Sequence, residues 1–211
     1  MELITVLLFA LAVSSDGFVA GVQYGIHKIR IPLFSLLVIS LASACAVTIS
    51  MTFGKGLASV LPDNAASTAG ALILCSIGAY FLLRAFKEKI KNLETSPEEP
   101  LLTLNLKSLG IIIHILKKPA SADMDSSGEL SAREAFFLGF ALALDALGAG
   151  IGLAMTGFNI LLTAIAVGML KFILISSGIY IGTVIKHKRL QSISSIIPGI
   201  IFILIGLSEL L

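Results

Sequence analysis

FALAVSSDGFVAG, residues 9–21, places an aspartate in the middle of an apolar run whose nearest other charges are Glu2 and Lys28. A carboxylate near the centre of a bilayer costs about 2.5–3.5 kcal/mol on insertion scales, so Asp16 marks a point where an ion, a proton or a buried partner is met. A second stretch, FALALDALGAG at residues 140–150, repeats the device with Asp145. At one constant offset Ala12 corresponds to Ala141, and Ala20-Gly21 to Ala149-Gly150. The chain reads as two copies of one unit, each contributing an intramembrane acid.

The composition supports that reading. Of 211 residues 56% are hydrophobic and only 13% charged, which excludes an ordinary soluble domain and implies a polytopic protein in a lipid bilayer. Nothing in it points to nucleic acid or fixes an oligomeric state. Cys45 and Cys75 each stand alone in an apolar segment and read as packing residues, not as a disulfide or a thiolate metal site. The N-terminus lacks a basic n-region and carries Asp16 where a signal peptide would be apolar, so it reads as a retained span.

Six stretches are long enough to cross a hydrocarbon core of about 30 Å: residues 3–26, 31–53, 65–86, 132–156, 158–185 and 192–211. Of the 15 Lys and Arg, all but Lys55 and Lys171 fall in or beside the connections after the first, third and fifth spans. The positive-inside rule then places those connections in the cytoplasm and both termini outside the cell membrane. Three spans per copy is an odd number, so the second copy enters the membrane inverted, the plan of many secondary transporters with a site at the midplane. The expected fold is an all-α polytopic membrane protein of six transmembrane helices in two inverted three-helix repeats. The repeats take residues 1–86 and 132–211, and a cytoplasmic connection takes 87–131.

Around the acids the helices carry small residues at four-residue spacing: Gly17, Gly21 and Gly25 in one, Ala146, Gly150 and Ala154 in the other. Each alone is a packing feature that lets helices approach closely. Beside two matched aspartates they shape a site. Lys171, in GMLKFILISSG, is a third charge at depth, and Asp145 or Asp16 is its natural partner. Its counterpart in the first copy falls among Leu41 to Cys45, so the charge is not duplicated. Asp16 and Asp145, carbonyls freed near Gly17 and Gly148, and the hydroxyls of Ser14, Ser15, Ser176 and Ser177 make a hard-oxygen set suited to Mg²⁺, Ca²⁺ or Mn²⁺.

The connection holds a charged segment, KEKIKNLETSPEEP, then LNLKSLGIIIHILKKP, which reads as an interfacial helix; His114 in it reads as a surface residue. Its last part fits the twelve-residue EF-hand calcium loop. Asp123, Asp125 and Ser127 supply side-chain oxygens, Gly128 the turn, Glu129 a carbonyl, Ser131 a water-mediated contact and Glu134 a bidentate carboxylate. The same residues read equally as a capping box at the start of the fourth span, with Ser131 and Glu134 reciprocating. Both readings hold together, with Ca²⁺ or Mn²⁺ as the expected cation. Glu134 and Asp145 lie on one expected helix, about 16 Å apart at 1.5 Å per residue, which links the loop to the site.

The duplicated ALALDA-type helix, the span count and the inverted halves resemble the MntP family of manganese efflux pumps, within the LysE-like exporters. DGFVAGVQYGIHKIRIP, NLKSLGIIIHILKKP and ADMDSSGELSAREA resemble its sporulation-associated branch, the YtaF type. The resemblance implies Mn²⁺ export and assigns the family's paired aspartates to Asp16 and Asp145. Alternating access by rocking of the two repeats, with protons as counter-ion, is the expected mechanism. The longer central connection and Lys171 depart from the efflux pumps, which keeps two other readings in view: a LysE-type exporter of a small cation, and a non-transporting, spore-related metal sensor. An enzyme is not expected, because intramembrane aspartyl proteases resemble one another in a GxGD segment and the contexts here are SSDG and ALDA.

Overall fold

A computed structural model describes residues 2–91, 122–125, 127–184 and 196–210. These form six long helices: α1 (Glu2–Ile26), α2 (Leu33–Ala58), α3 (Asp63–Lys91), α4 (Ala132–Met155), α5 (Ile160–Val184) and α6 (Ile196–Leu210). The only β pairing among the described residues is an isolated bridge between Arg30 and Glu129. The readings placed on the connection before residue 122, the interfacial helix and His114 included, lie outside the described residues.

Local chemistry explains the boundaries. α1 ends where Lys28 adopts φ +57°, with its N–H on the Gly25 carbonyl and that of Ile29 on the Tyr24 carbonyl, the pattern of a Schellman cap. Pro32 precedes α2 and, lacking an N–H, suits a helix start. α2 runs past the expected end at 53 to Ala58, carrying Lys55 in its last turn, where a cation suits the helix dipole. α4 opens with the full capping box: the Ser131 side chain accepts from the Glu134 N–H, and the Glu134 carboxylate accepts from the Ser131 N–H.

Four helices are long and apolar enough to cross a membrane: Leu3–Ile26, Leu33–Ala58, Asn64–Phe86 and Ile160–Val184. α4 joins them if its two parts, Ala132–Leu144 and Ala146–Met155, count as one span bent by 50°. The expected continuous helix from Glu134 to Asp145 therefore bends at Asp145 itself. Just beyond the bend the Leu147 carbonyl takes a hydrogen bond from Ser50 Oγ of α2, a side chain reaching into the helix's own ladder. The last expected span, 192–211, is described only as α6, a shorter apolar helix. Large apolar side chains such as Leu33, Phe34, Leu41, Phe86, Leu161 and Tyr180 face outward, as a lipid-facing surface requires.

Packing crosses between the halves. The main partners are α1 with α5, α2 with α4 and α3 with α6; α2 also meets α5, α3 meets α4, and α1 meets α6. Along α1 and α5 the contacts rise together, Gly17 at Lys171 and Ile175, Gly21 at Ile175 and Ile179, Gly25 at Ile179 and Gly182, so these helices are parallel. α2 and α4 are parallel too, with Gly139 at Ile39, Gly150 at Ser50 and Gly54 at Ile151. α3 runs antiparallel to α4 and α6.

The α1–α5 seam is closed to a single methyl group. A Cβ on Gly21 would collide with the Ile175 carbonyl, and one on Gly178 with the Phe18 carbonyl. We expect Gly21→Ala to cost about 2 kcal/mol or more by forcing these backbones apart. Gly56→Ala, with nothing within 4 Å of its added Cβ, should be neutral. Thermal midpoints of both variants in detergent, read by size-exclusion after heating, check this; equal midpoints would contradict it.

Candidate functional site

At mid-depth α1 and α5 bring together the two charges that the sequence set in apolar helices. Lys171 Nζ lies 2.5 Å from Asp16 Oδ1 and 3.5 Å from the Val13 carbonyl. The Lys171 side chain is fully buried, whereas a quarter of the Asp16 side chain remains accessible. Asp16 also accepts the N–H of Gly17 at 2.6 Å. Gly17 leaves the lysine stem its room: a Cβ there would stand 3.0 Å from Lys171 Cδ. Of the two partners open to Lys171, Asp16 is bonded to it; the side chain of Asp145 lies outside what the structure describes.

The other expected residues divide. Ser14 is buried and its hydroxyl crosses to the Val167 carbonyl of α5 at 3.4 Å. Ser15, Ser176 and Ser177 donate to carbonyls of their own helices, those of Ala12, Phe172 and Leu174. The helix continues unbroken through Gly17, so the backbone irregularity belongs to α4, where the bend precedes Gly148. Gly148 itself faces α3, its Cβ position 3.2 Å from Ile77 Cδ1.

Two residues on α2 were not singled out in the sequence. Ser50 bonds the Leu147 carbonyl just past the bend, and Ser43 is fully buried with its Oγ lacking a hydrogen-bond partner. Their seven-residue spacing, two helical turns on one face, was the available signal.

A second cluster lies at the end of the bundle where α1 finishes and α4 begins. One carboxylate oxygen each from Asp123, Asp125 and Glu134 lie within 4.8 Å of one another. Asp123 accepts the N–H groups of Ser127 and Gly128 at 3.1 Å each, and Gly128 takes the φ of +80° that glycine tolerates. Glu134 is buried, with Oε1 on the Met124 N–H and Oε2 on Ser131. The Ser127 hydroxyl donates to the Glu129 carbonyl. Hydrogen bonding from the Ser127 side chain, and then from its N–H, holds the Asp125 carboxyl below its ordinary range. The loop is stitched to the α1–α2 turn: Arg30 N–H donates to the Gly128 carbonyl, Leu130 N–H to the Arg30 carbonyl, and Ser35 Oγ to the Leu130 carbonyl.

At the far end, a cleft of about 560 Å³ opens among α2, α3 and α4, lined in part by Lys55, Ser59, Asn64, Ser67 and Thr156.

Apolar helices, outward-facing apolar side chains and a buried ion pair at depth define a multi-pass membrane protein. The chain belongs to the MntP family, described as "Putative manganese efflux pump", which matches residues 1–82 and 101–210. It is 41% identical over 210 residues, spanning both chains in full, to a protein of Bacillus subtilis (strain 168) named "Probable sporulation protein YtaF". It is 27% identical to a "Putative manganese efflux pump MntP" of Clostridium perfringens (strain 13 / Type A), over 100% of this chain and 95% of that one. A protein of the same name from Photorhabdus laumondii is 28% identical, over 100% of this chain and 94% of its own. No solved structure matches the chain.

Removing one member of a buried pair strands the other charge, at about 3–5 kcal/mol. We expect Lys171→Met to lower the thermal midpoint strongly and the double variant Asp16→Asn, Lys171→Met to recover most of the loss. A double-mutant cycle in detergent reads the coupling; additive effects would show the pair to be energetically idle.

Proposed function

We propose that the chain exports a divalent cation, Mn²⁺ first among candidates, through a midplane site to which α1 contributes Asp16 and α4 contributes Asp145. The observation that carries the reading is the Lys171–Asp16 pair: a partly accessible carboxylate already holding a cationic group, in a helix whose counterpart repeats the aspartate. With one aspartate neutralised by Lys171, the empty site carries about one negative charge and attracts a cation. Hard oxygen donors favour Mn²⁺, Mg²⁺ and Ca²⁺ over softer metals, and the relatives named as manganese pumps favour Mn²⁺ among these.

Two inverted three-helix repeats, each spanning the membrane three times, are part of the proposal. Exchanging α1, α2, α3 for α4, α5, α6 turns the α1–α5 contact into α4–α2 and leaves α3–α6 and α2–α5 on themselves, as a pseudo-two-fold requires. The directions agree, since α1 runs with α5 while α4 runs with α2 and against α3. The site then alternates between the two faces, with protons as counter-ions at the same carboxylates. Both termini lie outside, in the cell membrane or a spore-related one.

A second cation, Ca²⁺ or Mn²⁺, is proposed for the cytoplasmic loop on the strength of the Asp123, Asp125 and Glu134 oxygens. The hydrogen bonds at Arg30 and Ser35 tie that loop to the helices carrying the midplane site. A sensor that reads metal there without transport is the competing reading.

Mn²⁺ flux into proteoliposomes, with Ca²⁺ and Mg²⁺ as competitors, tests these assignments. Asp16→Asn and Asp145→Asn should each reduce flux at least a hundredfold, while Asp123→Asn, Asp125→Asn should leave flux present and shift its dependence on cytoplasmic-side metal. Absence of flux from well-folded wild type would overturn the transport reading.

A further inference from the structure

The two halves of the midplane region can be aligned through their closest contacts. In the α1–α5 pair, Gly182 packs on the Val22 carbonyl and Gly178 on the Phe18 carbonyl. In the α2–α4 pair, Gly54 packs on the Ile151 carbonyl, and Ser50 Oγ donates to the Leu147 carbonyl. Val22 and Ile151, like Phe18 and Leu147, share the offset that relates Asp16 to Asp145. The partners therefore correspond as well, Gly182 to Gly54 and Gly178 to Ser50. Seven positions before Gly178 stands Lys171, and seven before Ser50 stands Ser43.

The same place in the fold thus holds an ammonium in one half and a hydroxyl in the other. Lys171 is fully buried and bonded to Asp16. Ser43 is fully buried on the face of α2 that carries Val47, Ser50 and Gly54, and its Oγ is the one buried side-chain oxygen or nitrogen without a partner among the described residues. An unpaired buried hydroxyl costs about 1–3 kcal/mol, which a ligand would offset. Most other hydroxyls of these helices are satisfied by backbone carbonyls, Ser40 by that of Leu36 and Thr48 by that of Ala44 among them.

We propose that Ser43 is a cation ligand and that the transport site is asymmetric. Ser43, matched to Asp145 by the correspondence that sets Lys171 on Asp16, belongs to the half that takes the travelling divalent cation. Lys171 is a tethered stand-in for a cation in the other half and holds the site to one metal ion. This rests on the transport reading above and adds the residue that selects hard cations.

The test replaces oxygen with sulfur. Full-length protein in detergent, in an Asp123→Asn, Asp125→Asn background to silence the loop, is titrated with Mn²⁺ and with Cd²⁺. Ser43→Cys should shift preference toward Cd²⁺ at least tenfold, because a thiolate suits the softer ion. Ser40→Cys, at a buried hydroxyl of the same helix satisfied by the Leu36 carbonyl, should leave the ratio unchanged. Ser43→Lys, installing a second tethered cation, should lose Mn²⁺ binding at least tenfold. A Ser43→Cys ratio within twofold of the parent would overturn the assignment even if Ser43→Lys failed to fold. A parent that binds no Mn²⁺ at all would instead remove the transport reading, and this one with it.

Discussion

A buried ammonium on a carboxylate, between two helices in backbone contact, constrains everything around it. Lys171 reaches Asp16 only because α1 and α5 lie in backbone contact, and they do so because Gly21 and Gly178 place hydrogen where any other residue has a carbon. In lipid there is no hydrophobic force to drive one apolar helix onto another, so close packing and polar pairing must hold the bundle. Here both act on the same seam.

The seam also determines which parts can move. Glycine-to-carbonyl contacts bind α1 to α5 and α2 to α4, so each tight pair draws one helix from each half of the sequence. On the proposed transport reading, the bodies that an alternating-access motion would keep whole are these mixed pairs. Rocking of one three-helix repeat against the other would have to break both seams.

The duplicated aspartates, the lysine at depth and the EF-hand-type spacing were legible because each sets a charge or a glycine where the surrounding pattern forbids one. The Lys171 partner was not, because two acids in equivalent positions are indistinguishable until the helices are paired, and pairing across the halves is a tertiary fact. The sequence showed Ser14, Ser15, Ser176 and Ser177 as oxygens near the acids, but helix geometry turns three of them onto their own carbonyls, a local satisfaction that serine finds wherever a backbone acceptor is in reach. Ser43 escaped notice for the opposite reason: a serine among LASACAV reads as small, and only burial without a partner marks it. The bend in α4 has no proline to announce it, and the Ser50 hydroxyl that meets the Leu147 carbonyl just beyond it comes from another helix. The loop's attachment to Arg30 and Ser35 joins residues nearly a hundred positions apart.

Charge gives the asymmetry a consequence for energetics. On the proposed reading, two aspartates and Lys171 leave the empty site near −1 and the site loaded with a divalent cation near +1. Two bare aspartates would instead run from −2 to neutral. Moving one elementary charge across the membrane is worth about 2.3 kcal/mol per 100 mV. With protons as counter-ions, a pump of the second kind would carry two of them back and move no net charge through the site on either step. With Lys171 in place the loaded step instead moves one charge outward against a negative-inside potential, and one proton on the free carboxylate makes the return step neutral. On that reading the lysine serves the folded bundle as Asp16's partner and sets the exchange at one proton returned per divalent cation, with one net charge moved.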